Sequence, residues 1–109
     1  MRHVGVVTVT AFDVLAEPNR RRILDSLRQG ERPVGDLVHE LRLSQPAVSK
    51  HLRALREAGL VEVRPAAQQR FYRLRVQPLQ ELDAWLAPYR HFWAEHLDDL
   101  ERHLDEMED

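Results

Sequence analysis

Apolar positions change their spacing twice along the chain. Up to residue 60 they recur every three or four residues, which lines one face of a helix. Phe12 and Leu15, three apart, predict a short helix over Ala11–Ala16. Pro18 suits a first helical turn and opens a second helix to about Gln29, with Ile23, Leu24 and Leu27 inward and Gly30 as its stop. After Pro33, Val34, Leu37, Val38 and Leu41 stand at i, i+3, i+4 and i+7 and predict a third. The fourth, Ser44–Ala58, has a signal at each end: Ser44 as N-cap with Pro46 tolerated in the first turn and Leu43 and Val48 as a hydrophobic staple, then Gly59 as left-handed C-cap with Leu60 packing back on Leu55. Its buried stripe is Val48, Leu52 and Leu55, and Gln45, Ser49, Lys50, Arg53 and Arg56 point the other way.

Beyond Gly59 the period becomes two. Val61 and Val63, then Tyr72 and Leu74, predict a two-stranded hairpin around the polar stretch Ala66–Gln69, with Pro65 placing the first strand at a sheet edge and Arg64 and Arg70 flanking the tip. That tip lacks the glycine or asparagine of a tight turn, so a longer wing is expected. Helical spacing returns from Pro78 to about Met107 through Leu79, Leu82, Leu86, Tyr89, Trp93, Leu97, Leu100, Leu104 and Met107, close to a coiled-coil seam. Pro88 inside that run predicts a kink or break near Ala87.

The fold class is therefore mainly α with a small β-hairpin, a winged helix-turn-helix dimeric through its terminal helices. Its parts are a tail at 1–10, a DNA-binding unit at 11–76 and a dimerisation helix at 77–109 belonging to the same compact body. A chain of 109 residues is the size of one domain. It has no cysteine, hence no disulfide, thiolate metal site or cysteine nucleophile. No apolar run reaches the roughly 20 residues of a membrane span, and Val4–Val9 is too short for a signal-peptide core. The cytoplasm is the expected compartment.

Charge sharpens the picture. Residues 1–76 carry 14 Lys/Arg against 8 Asp/Glu, whereas 77–109 carry 2 against 10, so a net −2 conceals a basic body and an acidic end. The basic body implies a polyanionic partner. A capped helix about four turns long fits a DNA major groove. On it Gln45 and Arg53 can read adenine and guanine edges, and Ser44, Pro46, Ser49, Lys50 and Arg56 lie on the same approach, with Ser49 and Lys50 able to reach bases or phosphates. Arg64 and Arg70 can follow the backbone or enter the minor groove. Arg20, Arg21 and Arg22 stand where the helix dipole disfavours cations, which points to a nearby anion, either a DNA phosphate, taken here for Arg20, or Asp13 and Glu17. His51 lies beside the buried stripe and reads as a packed histidine rather than a base reader. The terminal-helix seam Leu86, Tyr89, Trp93, Leu97, Leu100 and Leu104 is too long and apolar for so small a body to cover, and implies a second copy.

Leu43–Val61, with the sequence LSQPAVSKHLRALREAGLV, resembles the recognition segment of the ArsR family of bacterial repressors. Leu15–Leu24 and Arg70–Leu74 are also similar to it, so the likeness covers about Phe12–Leu74, and Trp85–Trp93 resembles the last helix of a metal-independent, autorepressor-like branch. The resemblance implies a homodimer paired through its first and last helices, with Phe12 and Leu15 of the first helix joining the seam at the interface, that represses transcription at an inverted repeat in its own promoter region. Arg42 departs from the pattern, standing where the motif's turn commonly has glycine. The family's thiolate site would fall near Val34–Val38, where there is no cysteine. A second family site uses His and carboxylate on the last helix; His96, Asp99, His103 and Glu106 share a face, but their spacing is not the family's, so neither metal nor cofactor is expected. His39-Glu40 lacks the second histidine of a zinc-protease helix, and no phosphate-cradling glycine loop or Gly-x-Ser-x-Gly is present, which argues against an enzyme. Two alternatives stay open: a winged-helix protein-interaction module, and a zinc-sensing repressor.

Overall fold

The helices end where the chain supplies caps. In a computed structural model that describes residues 11–108, residues 11–15 are helical (α1) and are followed by α2 (Pro18–Leu27), β1 (Arg32–Pro33), α3 (Val34–Leu41), α4 (Gln45–Glu57), β2 (Val61–Ala66), β3 (Gln69–Leu74) and α5 (Val76–Glu108). The expected tail at 1–10 lies outside the described residues. Glu17 caps α2 by accepting from the Arg20 backbone N–H at 3.1 Å. That helix ends two residues before Gln29, because Gln29 and Gly30 donate back to Ser26 and Leu27 in a tightened last turn. Ser44 Oγ accepts from the Ala47 N–H at 3.2 Å and starts α4. At its other end Gly59 takes φ +77°, and the N–H groups of Gly59 and Leu60 donate to Arg56 and Leu55, each at 2.9 Å, satisfying carbonyls the helix leaves open. Leu55 and Leu60 are both fully buried, as the cap's hydrophobic contact requires.

Ile23, Leu37, Val48, Leu52, Leu55, Leu60 and Val61 form the fully buried centre of the core, where the helix-turn-helix meets the start of the wing. Leu82 fixes the beginning of α5 to the same core.

The sheet differs from the expected hairpin in two ways. It has three antiparallel strands in the order β1-β3-β2, since Arg32 and Pro33 pair with Tyr72 and Phe71. Two residues ending in proline carry no readable period, which is why β1 escapes the pattern. The wing is also tight rather than long. Ala66 pairs with Gln69 across Ala67-Gln68, and Ala67 itself takes the left-handed φ of +55° that glycine would otherwise supply. Pro65 does lie on an edge strand, β2.

Of the expected kink or break near Ala87, the break does not occur, as α5 runs through Pro88 for 33 residues. Arg90 ties the turns on either side of the proline together, donating to the Asp83 carbonyl at 3.3 Å and pairing with the Asp83 carboxylate. The helix also begins at Val76, two residues before Pro78.

Candidate nucleic-acid interface

Helix α3 turns into α4 through Arg42, whose φ of +57° and ψ of +41° are left-handed, the conformation for which glycine is commonly used. That turn presents α4 with Val48, Leu52 and Leu55 inward and Ser44, Gln45, Pro46, Ser49, Lys50, Arg53 and Arg56 exposed. Beside it β3 brings up the wing, and Ser49, Leu52, Arg53, Arg56, Glu57, Arg70 and Tyr72 line an open groove of about 570 Å³ between helix and strand. A second concavity joins Gln45 to Gln68, Gln69 and Arg70 near the start of α3. Helix and wing thus contribute to one surface. Tyr72 was legible only as a strand residue; that it borders the groove depends on how the β2–β3 hairpin packs beside α4.

Among the described residues, Arg32, Arg64, Arg73, Arg90 and Arg102 each pair with a carboxylate. Lys50, Arg53, Arg56 and Arg70 on this surface pair with none, as do Arg28, Arg42 and Arg75 elsewhere, and the groove gathers Arg53, Arg56 and Arg70 against one acid, Glu57.

Two other candidates are held by the protein itself. Arg64 pairs with Glu31, its Nε 3.2 Å from Glu31 Oε2, and its guanidinium lies 5.0 Å from the centre of the Phe71 ring. This hydrogen bond, outweighing desolvation, keeps the Glu31 carboxyl below its ordinary range and raises Arg64. Arg20 donates from Nε to His51 Nδ1 at 3.4 Å and from Nη1 to the Val14 carbonyl at 3.5 Å. Arg21 and Arg22 donate to the Leu15 and Leu41 carbonyls at 2.6 and 2.9 Å. The anion-like partners of this basic turn are therefore largely backbone oxygens, which a sequence does not announce. His51 is packed, as expected, with only 12% of its side chain exposed, between Arg20 and Glu17 Oε2 at 3.5 Å.

The seam on α5 lies mostly open. Phe12, Tyr89, Trp93, Leu97, Leu100 and Leu104 are exposed, and Leu15 and Leu86 are half-buried. Phe12 meets Trp85 edge-on at 5.2 Å and Trp85 meets Tyr89 at 4.9 Å, so α1 and α5 form one aromatic face. On the distal part Asp99 pairs with Arg102 and His96 stacks on Phe92. Among the described residues no three His, Asp or Glu side chains are grouped as metal ligands, and no helix is long and apolar enough to cross a membrane.

A helix-turn-helix followed by a hairpin whose central strand flanks the second helix defines a winged helix-turn-helix protein. Residues 17–63 match the model of the arsR family of bacterial regulatory proteins, and this chain belongs to the ArsR family, a family of regulators rather than enzymes. It is 32% identical over 75 residues to the transcriptional repressor SdpR of Bacillus subtilis, spanning 69% of this chain and 83% of that protein. It is 45% identical over 64 residues to the HTH-type transcriptional regulator Rv2034 of Mycobacterium tuberculosis, covering 59% of this chain and 60% of the relative's length. An ArsR-like transcriptional regulator from Rhodococcus superposes with a TM-score of 0.72 at 26% identity, over 89% of this chain and 92% of that one.

Proposed function

We propose that this chain is a sequence-specific transcriptional repressor of the cytoplasm that works as a homodimer on an inverted repeat of double-stranded DNA, without a metal or other cofactor. The observation that carries the reading is the clustering of Arg53, Arg56 and Arg70 around one groove, with Lys50 on the adjoining face of α4 and the exposed amides Gln45, Gln68 and Gln69 beside it; one acid, Glu57, stands against these four cations. Cations without carboxylate partners gain most from phosphates, through release of condensed counterions, and the amides and Arg53 supply base readout. Ser44, Pro46 and Ser49 border the same approach, Arg64 is a backbone contact oriented by Glu31, and Arg20, at the start of α2, is a backbone contact within reach of the same duplex. Residues 11–76 form the reading unit. Helices α1 and α5 carry the dimer interface, where a second copy covers the aromatic and leucine seam. Relatives named as repressors support repression as the direction of control, and one relative of comparable identity is named as an activator.

The test is protection of the region upstream of the protein's own gene, with affinity measured across salt concentrations. A site held far more tightly than bulk DNA, with two-fold symmetric protection and a steep salt slope, is the expected result. Equal affinity for every duplex, or binding only to an acidic protein, would overturn the reading.

A further inference from the structure

The imidazole of His51 is the one side chain of α4 that turns back into the body to meet charged groups of α2. Its Nδ1 lies 3.4 Å from Arg20 Nε and 3.5 Å from Glu17 Oε2. Among the described residues, no hydrogen bond or ion pair reaches it from α1, α3, β2 or its own helix, so Glu17 and Arg20 are the charged groups it faces. These two neighbours make opposite demands on one nitrogen. Arg20 Nε always carries a hydrogen and needs a lone pair at Nδ1; Glu17 Oε2 is an acceptor and needs a hydrogen there. Desolvation raises the Glu17 carboxyl but is outweighed by hydrogen bonds from the backbone N–H groups of Asn19 and Arg20 and by the His51 and Arg20 charges, so it stays ionised through the range in which histidines ordinarily titrate.

We propose that His51 is a positioning residue that couples protonation to DNA binding: neutral, it holds Arg20 through Nδ1, and protonated, it donates to Glu17 and releases Arg20 towards a DNA phosphate. The proposal rests on the reading of Arg20 as a backbone contact. When the proton arrives, the Nδ1 lone pair is consumed, the Arg20 Nε–H faces another N–H, and the guanidinium keeps only its bond to the Val14 carbonyl. The trio passes from zero net charge to +1 beside the reading helix. DNA is then held more tightly in mild acid.

The experiment measures binding of the full chain to an arbitrary duplex of roughly 30 base pairs, about three helical turns, as a function of salt near pH 6 and near pH 8. One additional phosphate contact steepens the logarithmic salt slope by about 0.9, or about 3.5-fold in affinity across a fourfold range of salt. The unmodified chain is expected to show this difference, and His51→Asn, whose amide oxygen is attached at the same position as Nδ1 and can accept from Arg20 but takes up no proton, is expected to lose it. Arg20→Gln should lose it too; a slope that still steepens in that variant overturns release of Arg20. His39→Gln, which alters the other described histidine outside α5, should leave the difference intact. Independently of DNA, nitrogen chemical shifts of the unmodified protein at pH 8 should show His51 with its hydrogen on Nε2, and a hydrogen on Nδ1 overturns the proposal even if a variant fails to fold. Absence of DNA binding by the unmodified chain at both pH values would instead overturn the repressor reading, whereas binding with the same slope at both overturns the coupling alone.

Discussion

Arg42 holds a backbone conformation that costs a side-chain-bearing residue about 1–2 kcal/mol, and it does so in the turn that sets α3 against α4. Glycine there would remove the strain but loosen the unfolded chain, so Arg42→Gly is expected to raise stability by about 0.5–1 kcal/mol, read as a shift of the denaturant midpoint at unchanged slope. Residues on the reading face divide by what they can touch. Gln45 and Arg53 project from the outer face of α4, while Arg20 sits at the start of α2 with its guanidinium turned to His51. Arg53→Ala and Gln45→Ala should change which sequences are preferred, each by about 1–3 kcal/mol of discrimination, and Arg20→Ala should weaken binding to all sequences and flatten the salt slope, most clearly in mild acid. Binding competitions among single-base variants of the protected site check the first pair. An Arg53→Ala protein with unaltered affinity and preference would mean that the reading face lies elsewhere.

Among the elements, the wing is anchored at mid-length. There β1 sews Phe71 and Tyr72 to the α2–α3 connection, and Arg64, the register partner of Phe71, pairs with Glu31 of the same connection. Because Arg64 lowers the Glu31 carboxyl, the contribution of this pair is fully present above the ordinary carboxylate range and fades as pH falls through the depressed value. Glu31→Gln should therefore reduce thermal stability at neutral pH and narrow the gap to the unmodified protein in acid; a gap independent of pH would show that the pair contributes nothing. The elements were legible in the sequence where the signals are local. Ser44, Gly59 and the stripe between them specify α4 within a few consecutive residues. What was not legible depends on partners distant in the chain: Arg32 and Pro33 become a strand only because β3 passes beside them, and the groove acquires Tyr72 from the packing of the hairpin beside α4. Pro88 shows the opposite case, a strong local signal overridden. Loss of one helical N–H is tolerated because Arg90 bridges to Asp83 across the proline and because Leu82, one turn and a half earlier, is already fixed to the core.

At the scale of the whole molecule, α5 spans about 50 Å at 1.5 Å per residue, and the chain measures 65 Å along its longest axis against 36 and 20 Å across. A seam of exposed Trp93, Leu97, Leu100 and Leu104 on so extended a helix is expected to close against a second copy, each fully buried side chain contributing roughly 1.5–3 kcal/mol before association costs. Leu97→Glu should yield a monomer in sedimentation at micromolar concentration, with an affinity for the inverted repeat reduced to that of a half-site or less. A clean monomer of the unmodified chain that still held its operator fully would rule out this assembly. The separation of charge along the same axis also has a kinetic side. A basic head joined to an acidic rod is a large electric dipole, and in the field of a polyanion it experiences a torque as well as an attraction. Each molecule is turned head first before it touches the duplex, so fewer collisions are spent on the wrong orientation, and added salt erodes that alignment by screening the field in which it arises.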